Sequence, residues 1–306
     1  MNYEAVFTQV AILCIMIFVG YYASKRNIID REANRKFSDL LLNITLPCMI
    51  ITSFQFDFSA EVLYDAGRIL IIAVLIHLLS AVVARVIYNK SPWQTASVLR
   101  FVTIFSNAAF MGFPVIDSLY SQIGVFYTAM YVVVFNLFVW SYGVILFTGQ
   151  KDWSSIKSSL LNPGIVATIV GLILYAASIK LPLPLFKAFS MVGSMTTPLS
   201  MLIIGTLLAQ VNYQEILKGQ HLISGIAMRL VGLPLLLFII LYFLGIKGVV
   251  ANVLVLVTAM PAAAITVIFA EKHNADALLA SRFVALSTIL SLVTLPGLIL
   301  FLSMVS

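Results

Sequence analysis

The sequence predicts an all-α polytopic membrane protein, with ten transmembrane helices in two inverted five-helix repeats and broken, crossing fourth and ninth helices. Three observations predict it. The 306 residues are 61% hydrophobic and 10% charged, where a soluble domain carries about 25% charged residues. Apolar runs of the length a bilayer demands, about 20 residues, occur near 5–23, 37–55, 67–88, 97–116, 123–148, 161–179, 189–210, 220–244, 250–270 and 277–303. Two of these runs, in corresponding positions of the two halves, are interrupted by helix breakers.

The first run is preceded by Glu4 and by no lysine or arginine. It lacks the basic flank of a cleavable signal and is expected to remain as span one. Cys14 and Cys48 fall inside spans one and two without metal-ligand spacing, so they read as small packing residues, and no metal or cofactor is expected. Span two carries Thr45-Leu46-Pro47 and span seven carries Thr196-Thr197-Pro198. Pro47 and Pro198 are expected to kink their helices. The shared offset (196 − 45 and 198 − 47, both 151) is the first sign of a repeat. It maps Asn107 onto Thr258 and Pro114 onto Ile265.

Span four ends in Ser106-Asn107-Ala108-Ala109-Phe110-Met111-Gly112-Phe113-Pro114-Val115. Gly112 and Pro114 weaken the helical hydrogen-bond ladder. Backbone groups freed in hydrocarbon cost several kcal/mol each unless protein, water or ligand satisfies them, so a break here should face a polar cavity. Asn107 adds an amide that both donates and accepts. The counterpart is Met260-Pro261-Ala262-Ala263-Ala264 in span nine. Paired interruptions in two halves point to the binding site of a secondary transporter.

Asn162-Pro163-Gly164 opens span six, with proline in a helix's first turn. Leu181-Pro182-Leu183-Pro184 reads as an extended outer connection, and Asp57, Glu61 and Asp65 as a solvated loop. Gly143, Gly171, Gly193, Gly205, Gly225 and Gly232 suggest close helix packing. Five spans precede the connection near 150–159 and five follow it, giving repeats of 1–153 and 154–306. An odd number of spans per repeat forces opposite orientations.

The net charge of +6 does not indicate nucleic acid, because the cations lie between spans. Lys25, Arg26, Arg31, Arg35, Lys36, Arg85, Lys90, Lys151, Lys157, Lys218 and Lys272 fall on one face, against Arg68, Lys180, Lys187 and Lys247 on the other. The richer face is cytoplasmic by the positive-inside rule, placing both termini outside the cell membrane, extracellular or periplasmic. Arg100, Arg229 and Arg282 fall within spans, where each needs a partner, a cavity or an interface. Arg229 is the deepest, and its reading is open between substrate binding and snorkelling. His77 reads as a satisfied core histidine, and Asp117 and Glu271 as solvated helix ends.

No acid lies clearly in mid-membrane. Together with helix N-termini at the breaks, this favours an anionic substrate. The candidate substrate-binding residues are therefore Asn107, Ser106, Thr258 and Arg229, and Pro261 substitution is expected to impair transport more than Arg229 substitution. The clustered acids, histidine pairs or activated serine of an intramembrane enzyme are missing from the pattern.

Asn107-Ala108-Ala109-Phe110-Met111-Gly112-Phe113-Pro114 resembles the asparagine and methionine-glycine-x-proline of the crossing helix in the auxin efflux carrier family. Met260-Pro261, followed by Phe269-Ala270-Glu271-Lys272-His273-Asn274, is similar to that family's second crossing helix and its exit. The Leu46-Pro47 step, the Asn162-Pro163 start and the ten runs extend the resemblance over nearly the whole chain. Without a long insert between the halves, the chain resembles a compact prokaryotic member. The resemblance implies a scaffold of spans one, two, six and seven, and a transport bundle of spans three to five and eight to ten. It also implies a homodimer and a carboxylate substrate, auxin-like or malate- or malonate-like. Asn107 becomes an expected ligand, and Pro114 and Pro261 the crossover prolines. The alternatives are a sodium-coupled organic anion symporter of the bile acid transporter type, for which Ser106, Thr258 and freed carbonyls supply oxygens, and a non-transporting membrane receptor.

Overall fold

A computed structural model describes residues 3–149, 161–210 and 221–305. The expected connection near 150–159, with Lys151 and Lys157, and Lys218 of the cation-rich face lie outside the described residues. The regular structure of the described residues is helical, joined by turns and short irregular links, with one isolated β-bridge, Ser106 to Ala262. The helices are α1 (Tyr3–Lys25), α2 (Arg31–Leu40), α3 (Leu46–Ser53), α4 (Ala60–Ile87), α5 (Trp93–Ile104), α6 (Phe113–Phe138), α7 (Val144–Thr148) and α8 (Pro163–Ala176). They continue as α9 (Leu183–Ser194), α10 (Thr196–Ala209), α11 (Leu222–Ala227), α12 (Leu233–Phe243), α13 (Gly248–Ala259), α14 (Ile265–Lys272) and α15 (Ala277–Val305).

Five helical runs among the described residues are long and apolar enough to cross a bilayer: Ala60–Ile87, Ala108–Thr148, Leu183–Ala209, Leu222–Phe243 and Ala277–Val305. The second is two helices meeting at a kink, because Ser121 leaves helical geometry (φ 51, ψ −144). On α4 the side chains of Ile71, Leu75, Leu78, Val82 and Val86 are exposed, while Ile72, Ala73, Ile76, His77, Ser80 and Ala84 are buried. An apolar stripe at helical spacing on the outside, with the polar groups inside, inverts the pattern of a water-soluble helix and suits contact with lipid.

Among the described residues four wide π-turns interrupt the helices, at Leu41–Thr45, Ala108–Gly112, Val139–Gly143 and Met228–Gly232. Three of them are followed two residues later by proline: Pro47, Pro114 and Pro234. Proline has no amide hydrogen for the carbonyl four residues back, and widening the turn lets the next amide along reach it. Pro47 thus marks a π-turn. Pro198 sits in the first turn of α10, after helical bonding is interrupted at Met195.

The chain divides into two compact units. Unit 1 comprises residues 1–70, 109–133 and 160–210. Within it α1 lies along α10 so closely that a Cβ added at Gly205 would strike the Ile17 carbonyl and the Tyr21 amide, and one at Gly20 the Leu202 backbone. Thr196 Oγ1 donates to Thr45 Oγ1 at 3.1 Å, joining the two residues that share the 151 offset. Asn162 caps α8, its side chain accepting from the Gly164 amide at 2.9 Å with Pro163 in the first turn, as the sequence predicts. Phe54, Phe126 and Tyr175 cluster, with ring centroids 4.6 and 5.4 Å apart on either side of Phe126.

Two expectations change here. Leu183 and Pro184 belong to α9 instead of an extended link, since proline is tolerated in a first turn. Glu61 and Asp65 lie on α4, not in a loop, with Asp65 3.3 Å from Arg68.

Unit 2 comprises residues 71–108, 134–159 and 211–306. Its core is α5, α13 and α15, with an aromatic stack of Phe101, Phe105, Phe147 and Phe269 at centroid distances of 4.5 to 5.7 Å. Gly143 packs against the Phe101 ring, where a Cβ would come within 2.8 Å.

Candidate functional site

Within unit 2, α5 and α13 are each 12 residues long, and they end against each other. Phe105 turns to extended geometry (φ −103, ψ 112), as does Met260 (φ −58, ψ 149). The two extended segments pair antiparallel about the Ser106–Ala262 bridge. The Asn107 amide donates to the Pro261 carbonyl at 2.7 Å, and the Ala263 amide donates to the Phe105 carbonyl at 3.0 Å. Ala262 N–H donates to Ser287 Oγ of α15 at 3.2 Å. Each break thereby satisfies backbone groups that the other has freed, the condition under which irregular backbone survives at membrane depth.

The first break lies at Phe105–Asn107, at the very start of the run that the sequence marks. Gly112 and Pro114 belong to the resumed helix, in the π-turn and the turn after it. Pro261 lies in the second break itself, between the end of α13 and the start of α14. Trp93 to Gly248 and Ile104 to Ala259 are both separated by 155 (248 − 93 and 259 − 104). Across the bridge Ser106 faces Ala262.

Arg229 enters from the π-turn Met228–Gly232 with a side chain 1% exposed. Its Nη1 donates to the carbonyls of Thr103 at 2.7 Å and Ile104 at 3.4 Å, at the end of α5. Its Nε donates to the Met260 carbonyl at 3.3 Å, and Nη2 to the carbonyl of Thr258, at the end of α13. A helix C-terminus carries about half a negative charge, so two of them present roughly one unit of negative charge to one guanidinium. The buried charge is matched by dipoles instead of a carboxylate. Snorkelling does not describe it.

The remaining candidates separate by burial. Ser106 is 0% and Thr258 1% exposed, and both hydroxyls are buried without a hydrogen-bond partner among the described residues. Asn107 is 6% exposed. His77 is buried, its Nδ1 2.7 Å from the Ala73 carbonyl and its ring against Phe105 and Phe138. Arg100 is half-buried and donates to the Tyr88 carbonyl at 3.3 Å. Arg282 is half-buried as well, and Glu271 is exposed.

The crossing thus gathers Ser106, Asn107, Thr258, Pro261 and Arg229 into one unit. Sequence reasoning missed Thr103 and Ile104, which act through backbone carbonyls and leave no side-chain signature, and it marked Met260 only as part of the second break. It also missed Ser287, whose only signal is a serine within an apolar run.

The family model described as "membrane transport protein" matches residues 5–156 and 152–299. A protein of Methanothermobacter thermautotrophicus described as an uncharacterized transporter is 25% identical over 92% of this chain and 93% of its own length. An uncharacterized transporter of Methanocaldococcus jannaschii is 23% identical over 94% of this chain and 95% of its own. The uncharacterized transporter YfdV of Escherichia coli is 20% identical over 93% of each chain.

Proposed function

The chain belongs to the membrane transport protein family, the auxin efflux carrier-like family, and from that membership we propose that it is a secondary carrier for a small carboxylate. The observation that carries the reading is the meeting of two broken half-helices at the Ser106–Ala262 bridge. Asn107, Ser106 and Thr258 are among the polar side chains at that meeting, and α14 begins beside it, its Thr266 and Val267 amides donating to the Ala263 and Ala264 carbonyls at 3.1 and 3.3 Å. The positive end of that helix dipole favours an anion. Among the described residues no aspartate or glutamate is fully buried, which also favours an anion over a cation.

On this reading the chain crosses the cell membrane ten times, with both termini outside. The eleven-to-four distribution of loop cations supports that orientation. Inverted repeats are supported by the antiparallel bridge, by two half-helices of equal length, and by the contact of Thr45 with Thr196. The two compact units follow a division into scaffold and moving bundle in part: unit 1 holds α1, α3 and α8–α10 together with residues 109–133 of the expected bundle, and unit 2 holds α5 and α11–α15. Auxin-like acids, malate and malonate are the substrates of first choice.

The test is uptake into proteoliposomes of labelled monocarboxylates and dicarboxylates, with organic cations as competitors. Carboxylate uptake that organic cations leave untouched is the expected result. Transport of an organic cation, with carboxylates ignored, would overturn the reading.

A further inference from the structure

Four backbone carbonyls, those of Thr103, Ile104, Thr258 and Met260, converge at the facing C-termini of α5 and α13. Converging carbonyls at the ends of broken helices form the cradle in which a transporter of this general build holds a coupling cation. In this chain the cradle is filled from within. We propose that the Arg229 guanidinium is the resident cation of the crossing, occupying a site that would otherwise take sodium, so that transport here proceeds without a co-transported inorganic cation. The inference rests on the carrier reading, and it says what balances the charge of the crossing.

Three features support it. The guanidinium is planar and stays protonated at any accessible pH, and its five donors suit several carbonyls spread over two helix ends. It supplies one positive charge to two helix C-termini worth about half a negative charge each, the balance a single sodium ion would strike. It is also tethered to the element that bends to admit it, because Arg229 lies within the π-turn that precedes Pro234. Next to the cradle, the Ser106 and Thr258 hydroxyls are buried without a hydrogen-bond partner among the described residues. They are further oxygen ligands for any ion that replaces the side chain, since hard cations take oxygen.

The experiment needs no transport substrate. Purified full-length protein in detergent is unfolded thermally in the chlorides of sodium, lithium, potassium and choline at constant ionic strength, and binding of radioactive sodium is measured in parallel. For the wild type we expect one Tm in all four salts and no saturable sodium binding. In Arg229→Ala, which empties the cradle, we expect Tm to rise with sodium or lithium, or when millimolar guanidinium is added, and not with choline. Saturable sodium binding by the wild type overturns the proposal. So does an Arg229→Ala protein that folds and responds to none of these ions.

If Arg229→Ala does not fold, wild-type sodium binding decides, with Arg229→Lys as the second variant. Arg229→Lys keeps the charge and should show a lowered Tm that is still the same in every salt. A sodium-dependent Tm there counts against the proposal. Failure of carboxylate uptake in proteoliposomes would remove the carrier reading and leave these binding results standing.

Discussion

Arg229 and Arg100 are both arginines within apolar runs, and the structure gives them opposite weights. Arg229 donates to carbonyls of two helix ends in a fully buried position, whereas Arg100 reaches one carbonyl from a half-buried one. Removing the guanidinium leaves buried carbonyls without a donor, at about 1–3 kcal/mol each, while a partly exposed charge contributes about 1 kcal/mol or less. Arg229→Gln should therefore lower the thermal midpoint of the purified protein far more than Arg100→Gln, and equal shifts would contradict the capping role. The need for a partner is legible in the sequence, because an arginine within an apolar run is costly. Its partners are not, because any residue type has a carbonyl.

At the scale of elements, the second break is legible and the first is misplaced for one reason. Pro261 writes its break into the chain. Phe105, Ser106 and Asn107 include neither glycine nor proline, and what opens the backbone there is tertiary: the bridge to Pro261 and Ala263, and the guanidinium on Thr103 and Ile104. Proline disfavours the helix interior by about 3 kcal/mol. Pro261→Ala should therefore let α13 run on, withdraw the Pro261 carbonyl from Asn107, and reduce uptake of every substrate alike while the protein still folds. Uptake at wild-type rates would show that the break does not depend on this proline.

Two further changes test elements of unit 1. Asn162→Ala removes the cap of α8 and should cost about 1 kcal/mol, read as a small fall in Tm with uptake retained. Gly205→Val drives a side chain into the backbone of α1, and overpacking of this kind costs about 1–3 kcal/mol or more. A Gly205→Val protein as stable as the wild type would contradict the close approach of α1 and α10.

For the whole molecule, hydropathy and breakers reveal the helical membrane class. The 151 offset picks out Thr45 and Thr196, which do meet, whereas the ends of α5 and α13 that meet at the bridge are 155 apart. Which residues face each other there is set by the antiparallel pairing of two chain segments, and a constant offset along the chain carries no trace of it.

The central claim is that a small carboxylate binds at the crossing through Asn107. The measurement that tests it most directly compares uptake of one labelled carboxylate by wild-type and Asn107→Ala protein in matched proteoliposomes. Loss of a hydrogen bond to a charged group costs about 1.5–3 kcal/mol, so the variant should have an apparent affinity about 10- to 100-fold weaker at unchanged protein level. Wild-type affinity in the variant, for a carboxylate that the protein moves, would contradict the claim.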